Sequence, residues 1–211
     1  GIADNADALA GMLVDRGVDS AIVAGHSWGA GVAIALAERH PQRVRRLVLV
    51  NPVTPGDRLG PLDRVLAERR VGPPLARAAF ATAGSALGSG AFRRALHRTL
   101  PGYGIDRSAE VAREWRSGDA WRSFYVEQRA LFTELPALRD GLADLVQPTT
   151  IVIGERDRVT DPAAGRRFAA EIGARLVEVP RAGHLLPMQS PGHVADAIAA
   201  DQAIGLPSSR A

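Results

Sequence analysis

The chain predicts an open α/β fold, a mostly parallel sheet flanked by helices with a helical insertion, and three observations carry that expectation. Short apolar runs bounded by turn residues recur at 21–24, 44–50, 150–153 and 176–179, the pattern of strands buried on both faces. Segments of helical period separate them, so strand, helix and strand alternate early and again late in the chain. Between the two halves, residues 54–145 carry helical patterns and almost no strand signal.

Taken in order, residues 4–16 place Ala8, Leu9, Met12 and Leu13 on one helical face and Asp4, Asp7 and Asp15 on the other, and Gly17 ends the helix. The run 21–24 is the first strand. Glycines and small residues crowd positions 25–31, and a helix follows through Val32, Ile34, Ala35 and Leu36 until His40-Pro41 stops it. Residues 44–50 form the second strand. The insertion reads as helices at 61–70, 74–83, 91–100, 108–116 and 121–135, punctuated by Gly and Pro. It holds Trp115, Trp121, Tyr103, Tyr125, Phe80, Phe92, Phe124 and Phe132, rings that line either a pocket or the insertion's own small core. Then come a strand at 150–153, a helix at 162–172 capped by Asp161 and Pro162, a strand at 176–179, and a closing helix at 191–203. The tail 205–211 is expected to fray. One discontinuous domain results, with core parts at 1–53 and 146–211 and a lid at 54–145.

Composition narrows the function. At 46% apolar and 23% charged, the 211 residues suffice for a packed core, which excludes disordered and collagen-like classes. No apolar run reaches the ~18 residues of a membrane span, and the first residues lack a signal-peptide pattern; a cytoplasmic chain without membrane partners is the expectation. The pI of 10.4 accompanies a net charge of only +3 because Lys and Cys are absent and two Tyr alone titrate near pH 10. The Arg pairs 45–46, 69–70, 93–94 and 166–167 are scattered and read as solvated helix faces, so no nucleic-acid partner is expected. Without Cys there is no disulfide, thiolate metal site or Cys nucleophile.

Chemistry concentrates in three places. Gly25-His26-Ser27-Trp28-Gly29 matches G-x-S-x-G directly between a predicted strand and a predicted helix. A turn that sharp strains its central residue and needs small neighbours, which Gly25 and Gly29 supply, and it presents the Ser27 hydroxyl beyond the strand's C-terminal end. The Trp28 N–H, at the start of the helix, is the natural donor to an oxyanion. A Ser hydroxyl needs a base. Of five His, His26, His40, His97 and His193 read as packing or surface residues, whereas His184 lies in a Gly-marked loop after the last strand, on the ligand-binding side of an open sheet. The acid that orients the imidazole is expected at the neighbouring strand end, where Asp157 follows 151–153; Glu155 and Asp161 are the reserves. A phosphate-binding turn is the competing reading of Ser27, but the glycines are too few for a dinucleotide fingerprint and no Lys is present for a P-loop.

On Gly25-His26-Ser27-Trp28-Gly29-Ala30, Val48-Leu49-Val50-Asn51-Pro52, Gly154 with Asp157, and Gly183-His184 with Pro191, the sequence resembles the α/β-hydrolase superfamily over about 18–52 and 148–204. The resemblance implies the C-terminal part of that fold, with Ser27 as nucleophile, His184 as base, Asp157 as orienting acid, an acyl-enzyme resolved by water, and no metal or organic cofactor. Epoxide hydrolases and dehalogenases have a similar turn with Asp at its centre, so Ser27 argues against them. The small-molecule substrate is expected to be a carboxylic ester or related acyl compound. Carbon–carbon bond hydrolases and proline-type aminopeptidases share the Ser elbow and stand as alternatives. In the family, further strands and a His-Gly loop that donates the second oxyanion N–H precede the elbow. Here about 20 residues precede the strand that leads to the elbow, and if nothing comes before them 21–24 is an uncovered edge. The expectation is therefore a sheet completed by an N-terminal segment or by a second copy in a homodimer, or else a non-catalytic, partner-dependent remnant.

Overall fold

The computed structural model describes residues 1–55, 60–99 and 108–200. Its centre is a four-stranded sheet, all parallel, in the order β1 (Ala21–His26), β2 (Val44–Val50), β3 (Thr149–Gly154) and β4 (Arg175–Val179). Sequence order and spatial order coincide, so every connection is a crossover, and the helices between β1 and β2 and between β3 and β4 lie on the sheet.

Alternation along β2 explains the layering. Leu47 and Leu49 point to one face, where they pack with Ile151, Ile153 and the helices α1 (Ile2–Asp15), α2 (Trp28–Arg39) and α8 (Pro162–Glu171). Val48 and Val50 point to the other, against Val152, Val179, Leu186 and Ala197. These residues are at most 5% exposed, which is why the strands read as continuous apolar runs instead of alternating ones. The second face is covered by α9 (Leu186–Gln189) and α10 (Pro191–Ala199). Arg46 shares it. Its side chain is buried and donates to the carbonyls of Ala197 and Ile198 at the end of α10, so one member of the 45–46 pair is a structural cap, contrary to the solvated-face expectation.

The first helix also departs from expectation. Ile2, Ala6 and Ala10 are its buried stripe, whereas Ala8 and Met12 face outward. Alanines on α1 meet the alanine-rich α2, where Ala30, Ala33 and Ala37 are buried, and small residues on both sides let the helices approach closely. Strand β1 lies at one edge of the sheet; Ala24 is exposed and Ile22 and Val23 are only half-buried.

The insertion forms α3 (Pro61–Ala67), α4 (Gly72–Gly88), α5 (Gly90–Thr99), α6 (Ser108–Ser117) and α7 (Ala120–Thr133). Phe80 packs on both Trp115 and Phe124, with ring centroids 5.1 and 5.3 Å apart, giving it a small aromatic core. Arg93 donates to the carbonyls of Leu87 and Gly88, closing the end of α4. Tyr103, the side chain of His97, the last expected residue of the 91–100 helix, positions 201–203 of the closing helix and the tail 205–211 lie outside the described residues.

Glu38, half-buried on α2, has an oxygen with no hydrogen-bond partner, and burial pushes its carboxyl up to about 7. The folded state therefore holds this proton more tightly than the unfolded chain, so its contribution is most favourable below the ordinary Glu range and declines as pH rises toward 7. Glu38→Gln should raise stability at pH 8 by roughly 1 kcal/mol, after allowance for solvent screening. No gain is expected at pH 4. Urea melts at the two pH values check this, and an equal gain at both would contradict it.

Candidate active site

Strand β1 ends at His26, and α2 begins at Trp28, so Ser27 alone makes the turn. Its φ of 55° and ψ of −121° lie where an L-residue is strained by roughly 1–3 kcal/mol. The Ser27 N–H donates to the Val50 carbonyl at 2.9 Å, and the Ser27 carbonyl accepts from Ala30 and Val53. These bonds tie the elbow to the end of β2 and hold the strain. The helix starts at Trp28, so the Trp28 N–H stands in the first turn, where it has no intrahelical acceptor.

The two elbow glycines differ. A Cβ on Gly25 would lie 2.4 Å from the Gly29 carbonyl oxygen, so Gly25 is required by the fold of the chain back over it. A Cβ on Gly29 would meet nothing within 4 Å. The expectation that both supply room is corrected: Gly29 contributes its backbone, and its lack of a side chain is not needed. Gly25→Ala should destabilise the protein by about 1–3 kcal/mol through a forced backbone shift. Gly29→Ala, within a helix, should be neutral or stabilising by up to ~1 kcal/mol. Thermal melting of both variants tests the contrast.

The three residues singled out in the sequence lie in one hydrogen-bonded row. Ser27 Oγ is 3.0 Å from His184 Nε2, and His184 Nδ1 is 2.8 Å from Asp157 Oδ2. Asp157 is 8% exposed. Desolvation would raise its carboxyl, but hydrogen bonds from His184, from the Thr160 hydroxyl at 2.6 Å and from the Val159 N–H at 2.7 Å outweigh that, and the group sits below the usual Asp range. It is thus an anion at neutral pH. With a carboxylate opposite it, Nδ1 carries the proton and Nε2 is left to accept from the Ser27 hydroxyl. Glu155 is exposed, and Asp161 caps α8 by accepting from the Ala163 N–H at 2.9 Å. His40 pairs with Asp7, and His193 is exposed on α10.

Two positioning residues were missed. Asn51, 1% exposed with φ 41°, donates through Nδ2 to the carbonyls of Gly183 and His184 at 3.0 and 2.9 Å, and its Oδ1 accepts from the Gly154 N–H at 2.8 Å. One side chain thereby fastens the acid-bearing and imidazole-bearing loops to the end of β2. His26 donates its Nε2–H to the His184 carbonyl at 2.8 Å, and its ring stands 4.9 Å from that of His184. Burial pushes the His26 imidazole below the usual His value, so it stays neutral. The available signal was positional: a polar residue directly at the end of a buried apolar strand. The loops also meet backbone to backbone, since a Cβ on Gly154 would lie 2.6 Å from the Ala182 carbonyl. On the far side of the imidazole loop, Gln189 of the unexpected single turn α9 accepts from the Gly183 N–H at 2.7 Å.

A cavity of about 890 Å³ opens onto Ser27 and His184 beneath the helical insertion. Phe124, Leu131, Trp28 and Val53 line it, as do Asp63, Glu127 and Gln128. The insertion's aromatics therefore divide between the two roles left open by the sequence, with Phe124 in both. Among the described residues no cluster of three or more His, Asp or Glu could hold a metal ion, and no helix is long and apolar enough to cross a membrane.

Comparison with known proteins bears on the fold. An esterase from Thermogutta terrifontis superposes with a TM-score of 0.66 at 26% identity, over 92% of this chain and 69% of that one. A hydrolase from Pseudomonas aeruginosa PA01 does so with a TM-score of 0.64 at 25% identity, over 94% and 70%. The 2-hydroxymuconate semialdehyde hydrolase of Pseudomonas putida is 51% identical over 43 residues, a stretch that is 20% of this chain and 15% of that protein. The model of the alpha/beta hydrolase family matches residues 1–197, and the chain belongs to that family.

Proposed function

We propose that the protein is a serine hydrolase that cleaves a small carboxylic ester or related acyl compound through an acyl-enzyme. The observation that carries this reading is the continuous row Ser27–His184–Asp157, with Ser27 and His184 lining a cavity of about 890 Å³. Ser27 Oγ attacks the acyl carbon while His184 Nε2 takes its proton. The carbonyl oxygen becomes an oxyanion that accepts from the Trp28 N–H and gains from the positive end of α2. His184 then passes the proton to the leaving alcohol as the C–O bond breaks. Water repeats the sequence on the acyl-enzyme, releasing the carboxylic acid and restoring Ser27. Asp157 stays ionised throughout, fixing the tautomer and stabilising the imidazolium.

The likeness to a solved esterase at 26% identity supports the ester class. Incubation with a fluorophosphonate probe should label Ser27, as read by peptide mass spectrometry, and labelling should vanish in Ser27→Ala. An unlabelled Ser27 in folded protein would overturn the reading. A second reading, hydrolysis of a carbon–carbon bond beside a carbonyl, is favoured by the 51% identity over 43 residues to the Pseudomonas putida hydrolase. A panel of esters tested against 2-hydroxymuconate semialdehyde separates the two.

A further inference from the structure

The row Ser27–His184–Asp157 has a further member at its acid end. Asp157 Oδ1 accepts from the backbone N–H groups of Val159 at 2.7 Å and Thr160 at 3.1 Å, an Asx turn that closes the loop between β3 and α8 on itself. Oδ2 accepts from His184 Nδ1 at 2.8 Å and from the Thr160 hydroxyl at 2.6 Å. The acceptor sites of the ionised carboxyl are thereby filled. Because the two backbone donors already hold the carboxylate in its turn, the hydroxyl is not needed to shape the loop. It shares the one oxygen that meets the imidazole.

Hydrogen bonds to an anion are charge-assisted, and each donor draws negative charge toward itself, so two donors on one oxygen weaken each other's hold. An aspartate and the imidazole it orients share their protons as a pair. The more charge the carboxylate oxygen keeps for the ring, the more readily the ring takes a second proton, and the sooner Nε2 is lost as a base on acidification. Other charged and titratable groups surround the pair. His26 of β1 stands 4.9 Å away ring to ring and is kept neutral by burial. Glu155, Arg156 and Arg158 flank Asp157 in its loop and are exposed, and Asp63, Glu127, Asp161 and Arg167 line the cavity that Ser27 and His184 share. Among the described residues, the hydrogen bonds to Oδ2 come from His184 and Thr160.

We propose that Thr160 is a positioning residue that acts through Asp157: its hydroxyl competes with the imidazole for Oδ2, weakens the Asp157–His184 bond, and so keeps His184 Nε2 available as a base further into the acid range. The catalytic meaning of this inference rests on the hydrolase reading, but the bond itself is read without turnover. Thr160→Val replaces the hydroxyl by a methyl at equal size, Thr160→Ser keeps the hydroxyl, and Thr160→Ala removes it should the Val variant fail to fold. The first readout is the proton NMR signal of the His184 Nδ1–H, identified by its loss in His184→Gln. It should move further downfield in Thr160→Val, less far in the same direction in Thr160→Ala, and stay in place in Thr160→Ser. The second is the pH dependence of fluorophosphonate labelling at Ser27. Its acidic midpoint should rise by about 0.5–1 pH unit in Thr160→Val, which slows labelling below the midpoint by about three- to ten-fold, and Thr160→Ser should restore it. A signal that stays put without the hydroxyl, or one that moves as far in Thr160→Ser as in Thr160→Val, would defeat the proposal. So would slower labelling at every pH with an unmoved midpoint, the mark of a merely structural role. If folded parent protein is not labelled at all, the hydrolase reading fails, while the NMR signal still reports whether Thr160 competes for Oδ2.

Discussion

Ser27→Ala is expected to reduce turnover of a susceptible ester by a factor on the order of 10⁴–10⁶ while leaving the fold intact. His184→Ala should cost a similar factor, and the double variant should be scarcely worse than either single one. In the proposed mechanism the hydroxyl and the imidazole, 3.0 Å apart, work as one proton-transfer unit, so removing either removes the function of both. Steady-state kinetics of the three variants on one ester, with melting curves as a check on folding, measure this. Effects that multiply in the double variant would show that the two groups act independently. Ser27→Gly adds a stability readout. The residue sits at φ 55°, where glycine is unstrained. The variant should be inactive yet more stable by about 1 kcal/mol.

Asn51→Leu is the substitution with the largest expected effect on stability. The side chain is of similar size, but it leaves the Gly154 N–H and the Gly183 carbonyl without their buried partner and the His184 carbonyl with His26 as its remaining donor. Each orphaned group costs roughly 1–3 kcal/mol, so the two together should cost about 2–5 kcal/mol. That is a large part of the 5–15 kcal/mol typical of a folded domain. Leu is also a poor residue at φ 41°. Asn51→Asp divides the effect. It still accepts from Gly154 but sets a carboxylate against two carbonyl oxygens, so it should lower kcat more than it raises KM, through displacement of the His184 loop. Urea melts and kinetics together test the pair. An Asn51→Leu variant within 1 kcal/mol of the parent would show that water replaces the lost bonds.

The site was legible because its three groups carry strong local marks. Ser27 stands between a strand and a helix with Gly25 behind it, His184 follows a Gly after the last strand, and Asp157 follows the strand before. What was not legible depends on partners distant in sequence. Asn51 looked like a strand terminus, since nothing in its neighbours reveals that residues 154, 183 and 184 converge on its amide. Arg46 was grouped with solvated arginines because the end of α10, about 150 residues away, supplies its acceptors. The face of α1 was misjudged for a related reason. Helical period marks apolar stripes, but α2 selected the alanines that permit close approach.

The order and kind of the elements, and the chemical types gathered at the strand ends, follow from residue pattern alone, because apolar period, turn residues and the elbow are local properties of the chain. Which glycine is indispensable, how the imidazole loop is held, and where the cavity turns polar were decided only in three dimensions. Those features are contacts between backbones and side chains brought together by the crossovers of the sheet. A contact of that kind has no energy until both partners are in place.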